Sequence, residues 1–153
     1  MAQRPNFNLA WAAFSRVNGS VAHVGQVIGG KVRLNIDGGI FTNACAIRMS
    51  YVLNQTGFPI TANAGAVSSG DGGARYLYRV KDLVPHLEKL FGKPEHTHEK
   101  PTAATFAGKR GILVFDVPIW SDASGHATLW NGTMCSDSCY FAESTRASLW
   151  ELK

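Results

Sequence analysis

The sequence lacks any long apolar run, and this absence limits where the protein acts. No stretch approaches the roughly 20 consecutive apolar residues that cross a bilayer as a helix. The first residues, MAQRPNFNLAWAAF, also lack the basic start, long apolar core and small-residue cleavage site of a secretory signal peptide. We therefore expect no membrane span and no export through the Sec pathway.

Charged residues are scarce as well. They make up 17% of the 153 residues, against 45% for apolar ones, which is typical of a folded chain long enough for one core. The net charge of +4 favours anionic polymers in general, but the basic residues are scattered, without a dense basic run or an interleaved aromatic motif. We therefore expect a single domain over residues 1–153 and no nucleic-acid partner.

Cysteine is scarce too, and the three present are unevenly spaced. Cys135 and Cys139 are close in sequence, whereas Cys45 stands alone. An odd cysteine beside a close pair is the pattern of one reactive thiol and one disulfide. A zinc site at the pair would need two further ligands, and none follows at suitable spacing, so we expect no metal and no cofactor. A lasting disulfide requires an oxidising compartment, which conflicts with the missing signal peptide.

Hydrophobic periodicity divides the chain into a helical first part and a strand-rich last third. Helical spacing, together with capping residues and closing glycines, predicts helices over 8–16, 21–28, 42–54 and 82–91. Extended segments are predicted at 31–36, 76–80, 111–117, 126–130 and 147–152, with loops at 57–75 and 93–101. Helices first and strands last predict an α+β fold with N-terminal helices packed on a C-terminal antiparallel sheet.

Cys45 lies in the first turn of the predicted helix over 42–54, with Thr42 or Asn43 as its N-cap. Unpaired N–H groups and the positive end of the helix dipole favour a thiolate, which is the attacking form of cysteine. The same N–H groups favour the oxyanion that forms when a carbonyl is attacked, and the Cys45 amide is the natural donor. From position alone, a small buried core cysteine is the favoured interpretation.

His126 opens a predicted strand after a loop over residues 121–125, where Gly125 permits close approach of another backbone. If residues alternate in that strand, His126, Thr128 and Trp130 share one face. That placement suits an imidazole presented from a sheet to a cysteine on a facing helix. Taken alone, however, a structural role is the simpler interpretation of this histidine.

A base histidine needs a third group to hold its tautomer, and Asp137 is the best candidate. It lies just past the turn dipeptide Asn131–Gly132, where the chain folds back beside the strand of His126. It also lies at the centre of the Cys135–Cys139 loop. Closing that loop would stabilise the fold by about 2 kcal/mol, and we expect the crosslink to matter more by holding Asp137 in place. An ordinary loop aspartate is the alternative.

The remaining histidines do not indicate a functional site. His96 and His98 stand beside Glu95 and Glu99 in a polar stretch bounded by prolines, so we expect a solvated surface there and not a metal site. The histidines expected at the surface or at the edges of helices are His23 and His86.

Four segments resemble one family, in order along the chain. They are GGKV at 29–32, NACAIRMSYVLN at 43–54, SGHATLWNG at 124–132 and CSDSCY at 135–140. Together they are similar to the type VI secretion amidase effectors of family 4. The resemblance covers nearly the whole chain and is weakest over residues 95–109.

The resemblance implies an NlpC-type papain-like fold, with Cys45, His126 and Asp137 as nucleophile, base and orienting acid. It implies a peptidoglycan amidase that cuts between D-glutamate and meso-diaminopimelate in peptide stems. It also implies a cytoplasmic protein that the type VI machinery injects into the periplasm of a rival cell. There a cognate immunity protein, expected to be a dimer that bridges two effectors, would plug the active-site groove. Injection would reconcile the disulfide with the missing signal peptide.

Two other functions stay open on the sequence. A papain-like protease or protein deamidase would share all of this chemistry and differ only in its amide substrate. A non-catalytic wall-binding module would tolerate the loss of Cys45. Product analysis on wall fragments distinguishes the protease or deamidase from a peptidoglycan amidase. Thiol alkylation distinguishes the wall-binding module, because it would not change the function of a non-catalytic protein.

Overall fold

The computed structural model describes residues 3–120 and 125–153 and shows helices followed by a sheet. The helices, in chain order, are α1 (Phe7–Val17), α2 (Val21–Ile28), α3 (Gly30–Asp37), α4 (Cys45–Gln55) and α5 (Val80–Phe91). The strands are β1 (Val67–Ser69), β2 (Arg75–Leu77), β3 (His96–Glu99), β4 (Gly111–Asp116), β5 (Gly125–Trp130) and β6 (Arg146–Glu151). The predicted α+β class, with helices before a C-terminal antiparallel sheet, is confirmed.

The main sheet has four antiparallel strands in the order β3-β6-β4-β5. Its register places His126 of β5 opposite Phe115 of β4, and Gly125 opposite Asp116. A Cβ atom at Gly125 would overlap the carbonyl oxygen of Phe115. Glycine at this position therefore lets the two strands pair closely directly beside His126, as the sequence predicts.

The two faces of the main sheet are covered by different layers. Residues that pack against the helices include Ile112, Val114, Ala127, Leu129 and Trp150. Their neighbours on the strands point the other way and pack with loop aromatics; this second cluster includes Leu113, Phe115, Trp130, Leu149 and Phe106. Because the side chains of a strand alternate between faces, both sides of the sheet are apolar. The sheet and α4, which contacts β5, are thus held rigidly in the core.

The segment 31–36, predicted to be extended, is helical and forms α3. Gly29, with a φ of 70°, turns the chain, and a new helix begins at the next residue. Gly25 of α2 has no side chain and lies against Arg33 and Ile36, so the two helices approach closely. The alternating apolar residues of this segment are typical of a strand, but packing of α3 against α2 favours the helix. As a consequence, Leu34 is exposed.

Two predicted loops contain strands. Part of the 57–75 segment forms β1, which pairs with β2 in a separate two-stranded sheet. Within the 93–101 segment, His96–Glu99 pairs with β6 as an edge strand. The side chains of this strand are polar, so the sequence lacks the apolar alternation that predicts a strand. An edge strand can form without such residues, because backbone hydrogen bonds to its one neighbour hold it in place. His96 also lies 3.3 Å from Glu151 on that neighbouring strand.

One of the lesser histidines departs from the prediction. His86 of α5 is buried and does not lie at the surface, and its Nε2 has no hydrogen-bond partner among the described residues. Burial, with the nearby charge of Lys89, lowers the pKa of His86, so the neutral imidazole is favoured there. The helix that carries it begins at Val80, two residues earlier than predicted.

Candidate active site

Cys45 is the first residue of α4 and is buried, with 1% of its surface exposed. It is the free cysteine of the chain. The N-cap is Ala44, one or two residues later than the predicted Asn43 or Thr42. The predicted placement of the thiol at the start of a helix is confirmed, and the free N–H groups of the first turn lie beside it.

The Asn43 side chain explains why the helix begins so late. Its Oδ1 accepts a hydrogen bond of 3.0 Å from the Cys45 backbone N–H. This bond, from a side chain to the amide two residues on, forms a tight turn directly before the helix. The Cys45 amide, which the sequence suggests as an oxyanion donor, is therefore already bonded to a neutral acceptor in the free protein.

His126 lies between the thiol and a carboxylate. Its Nε2 is 2.8 Å from Oδ2 of Asp137, and the Cys45 thiol lies close enough to the ring to raise the pKa of His126. With Nε2 turned to the carboxylate, Nδ1 is the nitrogen left for the sulfur. The structure thus brings together the three residues that the sequence analysis singled out, although they are far apart along the chain.

The electrostatics of His126 favour the imidazolium. Burial of the ring opposes its charge, but the hydrogen bonds and charges of Asp137 and Cys45 outweigh that effect and raise the pKa of His126 to about 9. Burial would also raise the pKa of Asp137, yet the hydrogen bonds from His126 and Thr128 and the histidine's charge lower it. The pair is therefore an ion pair at neutral pH, screened from water on most sides.

A short return segment positions Asp137. After the turn at 131–134, Cys135 forms a bridge with Trp130, and the Ser136 N–H donates a 2.8 Å hydrogen bond to the Leu129 carbonyl. These contacts lay the segment alongside β5. The predicted disulfide between Cys135 and Cys139 is confirmed, with its Cα atoms 5.6 Å apart. It closes the loop that carries Asp137.

Thr128 contributes a contact that the sequence analysis did not assign. The side chain is fully buried, and its hydroxyl donates a 2.6 Å hydrogen bond to Oδ1 of Asp137. The period of two along β5 places Thr128 on the same face as His126, which is the signal that could have identified it. Tyr140 was also missed: its ring packs edge-on against His126, with the ring centroids 4.8 Å apart.

A groove of about 470 Å³ opens over these residues. One set of its lining residues comes from the α1–α2 connection and the start of α4: Asn18, Gly19, Val21, Thr42, Asn43, Ala44 and Arg48. The other set comes from the sheet and the loops beside it: Trp120, His126, Asp137, Ser138 and Tyr140. The predicted loop before His126 lies largely outside the described residues, at 121–124. Ala44, the residue before the buried Cys45, lines the groove, so the groove lies next to the start of α4 that carries the thiol.

Two further observations concern what the described part of the chain contains. Across residues 3–120 and 125–153, no three His, Cys, Asp or Glu side chains are grouped closely enough to hold a metal ion. Within the same ranges, no helix combines the length and the apolar character that crossing a membrane requires.

A known protein family matches most of this chain. Residues 41–150 match the family described as type VI secretion system (T6SS), amidase effector protein 4. Among curated proteins, none matches.

Solved structures extend the match to the whole chain. The type VI effector–immunity complex Tae4–Tai4 from Enterobacter cloacae is 48% identical, with a TM-score of 0.95, over 99% of this chain and 100% of that chain. The corresponding complex from Salmonella Typhimurium is 50% identical, with a TM-score of 0.94 and the same coverage. A structure of the type VI effector Tae4 from Enterobacter cloacae is 48% identical, with a TM-score of 0.95 over 99% of each chain. The chain therefore has the papain-like fold of these proteins and belongs to the type VI secretion amidase effectors of family 4.

Proposed function

We propose that this chain is a cysteine amidase of bacterial peptidoglycan, with Cys45 as nucleophile, His126 as acid and base, and Asp137 as the orienting group. One observation carries the proposal: a single buried imidazole connects the thiol at a helix start to a carboxylate 2.8 Å away. Nucleophile, base and orienting acid in that order are what acyl transfer through a thioester requires.

The first half of the reaction makes the acyl-enzyme. The thiol proton resides on His126, and the Cys45 sulfur attacks the amide carbonyl carbon. The new C–S bond forms as the carbonyl electrons move to oxygen, and the Cys45 N–H, released from Asn43, donates to this oxyanion. When the oxyanion collapses, the C–N bond breaks and His126 gives its proton to the departing amine.

The second half restores the enzyme. His126, now neutral, takes a proton from water, and the resulting hydroxide attacks the thioester carbon. Collapse of the second oxyanion breaks the C–S bond, releases a free carboxylic acid and returns the proton to the cysteine and histidine pair. Asp137 stabilises the imidazolium each time it forms, and it keeps Nε2 turned away from the sulfur.

The substrate that we propose is the amide between D-glutamate and meso-diaminopimelate in peptide stems of the cell wall. Membership in an amidase effector family and the open groove beside Cys45 support this assignment. In this proposal the chain forms a single amidase domain over residues 1–153. The producing cell makes the protein in the cytoplasm and injects it into the periplasm of a rival cell. Hydrolysis of the wall there kills the rival cell.

We also propose a cognate immunity protein as partner. Two of the matching structures are complexes of a similar effector with its immunity protein, which supports such a partner here. The immunity protein would act as a periplasmic dimer that bridges two effectors and covers the groove over Cys45. Blocking that groove would protect the producer and its kin from their own enzyme.

The test is product analysis on purified wall fragments. Wild-type protein should release diaminopimelate with a free amine and leave D-glutamate with a new carboxyl group, as read by mass spectrometry. Cys45→Ala should yield no product while it retains the wild-type melting temperature. Intact fragments after wild-type treatment, or full turnover by Cys45→Ala, would falsify the proposal.

A control variant tests for a general effect of disturbing the packing at the start of α4. Ala44→Ser adds an oxygen atom at the neighbouring buried position and keeps the Cys45 thiol. We expect this variant to keep most of the hydrolysis. If both variants lost activity equally, the loss could not be assigned to the nucleophile.

A further inference from the structure

Arg48 lines the same groove as the catalytic residues, on the helical side. It is located three residues after Cys45 on α4, and residues at this spacing share one face of a helix. A long cationic side chain therefore starts one helical turn after the thiol and lines the groove. The mechanism above does not use it.

The guanidinium of Arg48 is held in place by backbone. Its Nε donates to the Val17 carbonyl at 3.1 Å, and its Nη2 donates to the Gly19 carbonyl at 2.7 Å. Both acceptors belong to the end of α1 and the turn after it. An arginine has five N–H donors, so these two bonds fix the group and leave the Nη1 donors without a partner among the described residues.

The positive charge of Arg48 is not matched by a carboxylate among the residues that the structure describes. Within the described part of the chain, no aspartate or glutamate lies within ion-pair distance of it. The acidic side chain among the groove residues is Asp137, and both of its oxygens are engaged, by His126 and Thr128. A fixed cation that faces a groove without an internal counter-ion is suited to bind an anion of the substrate.

The side of the groove indicates which part of the substrate this anion belongs to. His126, on the sheet side, gives a proton to the amine that leaves, so the leaving half must lie toward the sheet. The acyl half stays attached to Cys45 at the start of α4, where Arg48 is. In a γ-glutamyl amide, the acyl half carries an α-carboxylate. Three carbon atoms, Cα, Cβ and Cγ, separate this carboxylate from the carbonyl that is attacked.

We propose that Arg48 is a specificity residue that binds the free α-carboxylate of the glutamyl residue being cleaved. This inference rests on the proposed function, because it takes the γ-D-glutamyl amide as the substrate. The contact is made by charge-assisted hydrogen bonds from the end of the guanidinium that the Val17 and Gly19 carbonyls leave free. It selects acyl groups that carry an anion and positions the γ-carbonyl over the sulfur.

A matched pair of substrates tests the proposal. One stem peptide carries D-glutamate with its α-carboxylate free, and the other carries the α-carboxamide, D-isoglutamine, which has nearly the same shape without the charge. Wild-type enzyme should favour the carboxylate in kcat/KM by about tenfold or more, the range expected for a hydrogen bond between charged groups. Most of that factor should appear in KM.

Enzyme variants locate the source of the preference. Arg48→Gln should lose the discrimination, so that both peptides are cleaved at similar, low efficiency. Arg48→Lys keeps the positive charge but lacks the planar guanidinium with its paired N–H donors, so it should retain part of the preference for the carboxylate. Arg33→Gln, on the exposed face of α3 beside Asp37, is the matched control and should leave the ratio unchanged.

The outcomes separate this proposal from the one on which it rests. If wild type cleaves both peptides equally, or if Arg48→Gln keeps the wild-type ratio, Arg48 only ties α4 to the end of α1 and the proposal is wrong, while the amidase assignment stands. If wild type cleaves neither peptide, the amidase assignment fails and this proposal fails with it. Should Arg48→Gln not fold, Arg48→Lys decides, and a full wild-type ratio in that variant would contradict the proposal.

Discussion

The Thr128 hydroxyl donates a 2.6 Å hydrogen bond to Oδ1 of Asp137, whose other oxygen lies 2.8 Å from His126. Thr128 and His126 are two residues apart on β5 and present their side chains on one face. The carboxylate is therefore held at both oxygens by a single strand. The orienting group of the proposed triad depends on the sheet as much as on its own loop.

Thr128→Val should lower kcat about tenfold with little change in KM. Valine keeps the shape of threonine but leaves Oδ1 of Asp137 without this donor, so the carboxylate no longer holds the ring in one orientation. Steady-state kinetics on wall fragments measures the effect. Thr97→Val, which removes a threonine hydroxyl paired with Ser148 on an exposed strand far from the groove, is the control. Unchanged kcat in Thr128→Val would mean that Asp137 needs no second anchor.

Asn43→Asp should lower kcat by on the order of a hundredfold, as the loss of an oxyanion donor does. The carboxylate would hold the Cys45 N–H more tightly than the amide oxygen does, at 3.0 Å in the native protein, and would repel the developing oxyanion. A negative charge at a helix start also favours the fold, so the melting temperature should not fall. Asn43→Ser, a neutral acceptor, should lose much less activity; equal losses in the two variants would contradict this account.

Removing the disulfide should weaken both stability and turnover. The double variant Cys135→Ser with Cys139→Ser should reduce the free energy of unfolding by about 2 kcal/mol, since the unfolded chain regains the freedom of the loop. Because Asp137 lies inside that loop, kcat should fall as well, without being abolished. Denaturant unfolding and kinetics are the measurements. A melting temperature of wild type that reducing agent does not change would show that the crosslink adds no stability.

The stability of the fold should depend on pH through His126. Its pKa is raised from 6.5 to about 9 in the folded protein. The stabilisation from the imidazolium is therefore complete below about pH 6.5 and is lost as the pH rises through about 9. Urea unfolding of wild type and His126→Gln across this window should show the wild-type advantage shrinking as the pH increases.

A second variant identifies the source of that pH dependence. Asp137→Asn removes the carboxylate that stabilises the imidazolium, so most of the loss of stability between pH 6.5 and 9 should disappear. The difference in free energy of unfolding between wild type and His126→Gln should shrink as the pH rises. A difference that grew with pH would contradict an ion pair between His126 and Asp137.

Local sequence patterns were enough for several features. Helical periodicity around Cys45 placed the thiol in the first turn of α4, and apolar runs located three of the four strands of the main sheet. The count and spacing of cysteines predicted the Cys135–Cys139 bridge. These features depend on interactions within a few residues or on simple counting, so a single sequence contains them.

Other features are invisible in the sequence because they arise from contacts between distant segments. Gly25 allows α3 to pack as a helix where alternation suggested a strand, and backbone pairing with β6 makes a strand of the polar residues His96–Glu99. The closeness of Cys45, His126 and Asp137 was an expectation from resemblance until the coordinates placed them together.

What the sequence by itself determined, then, is which chemical groups exist and which local structure presents each of them. Only the tertiary structure decided that Asn43 engages the Cys45 amide, that Thr128 anchors the carboxylate, and that Arg48 lines the groove without a carboxylate beside it among residues 3–120 and 125–153. The reason is physical: periodicity reports burial and conformation one element at a time. Hydrogen bonds and charge pairs depend on distances of a few ångströms that are set when separate elements pack.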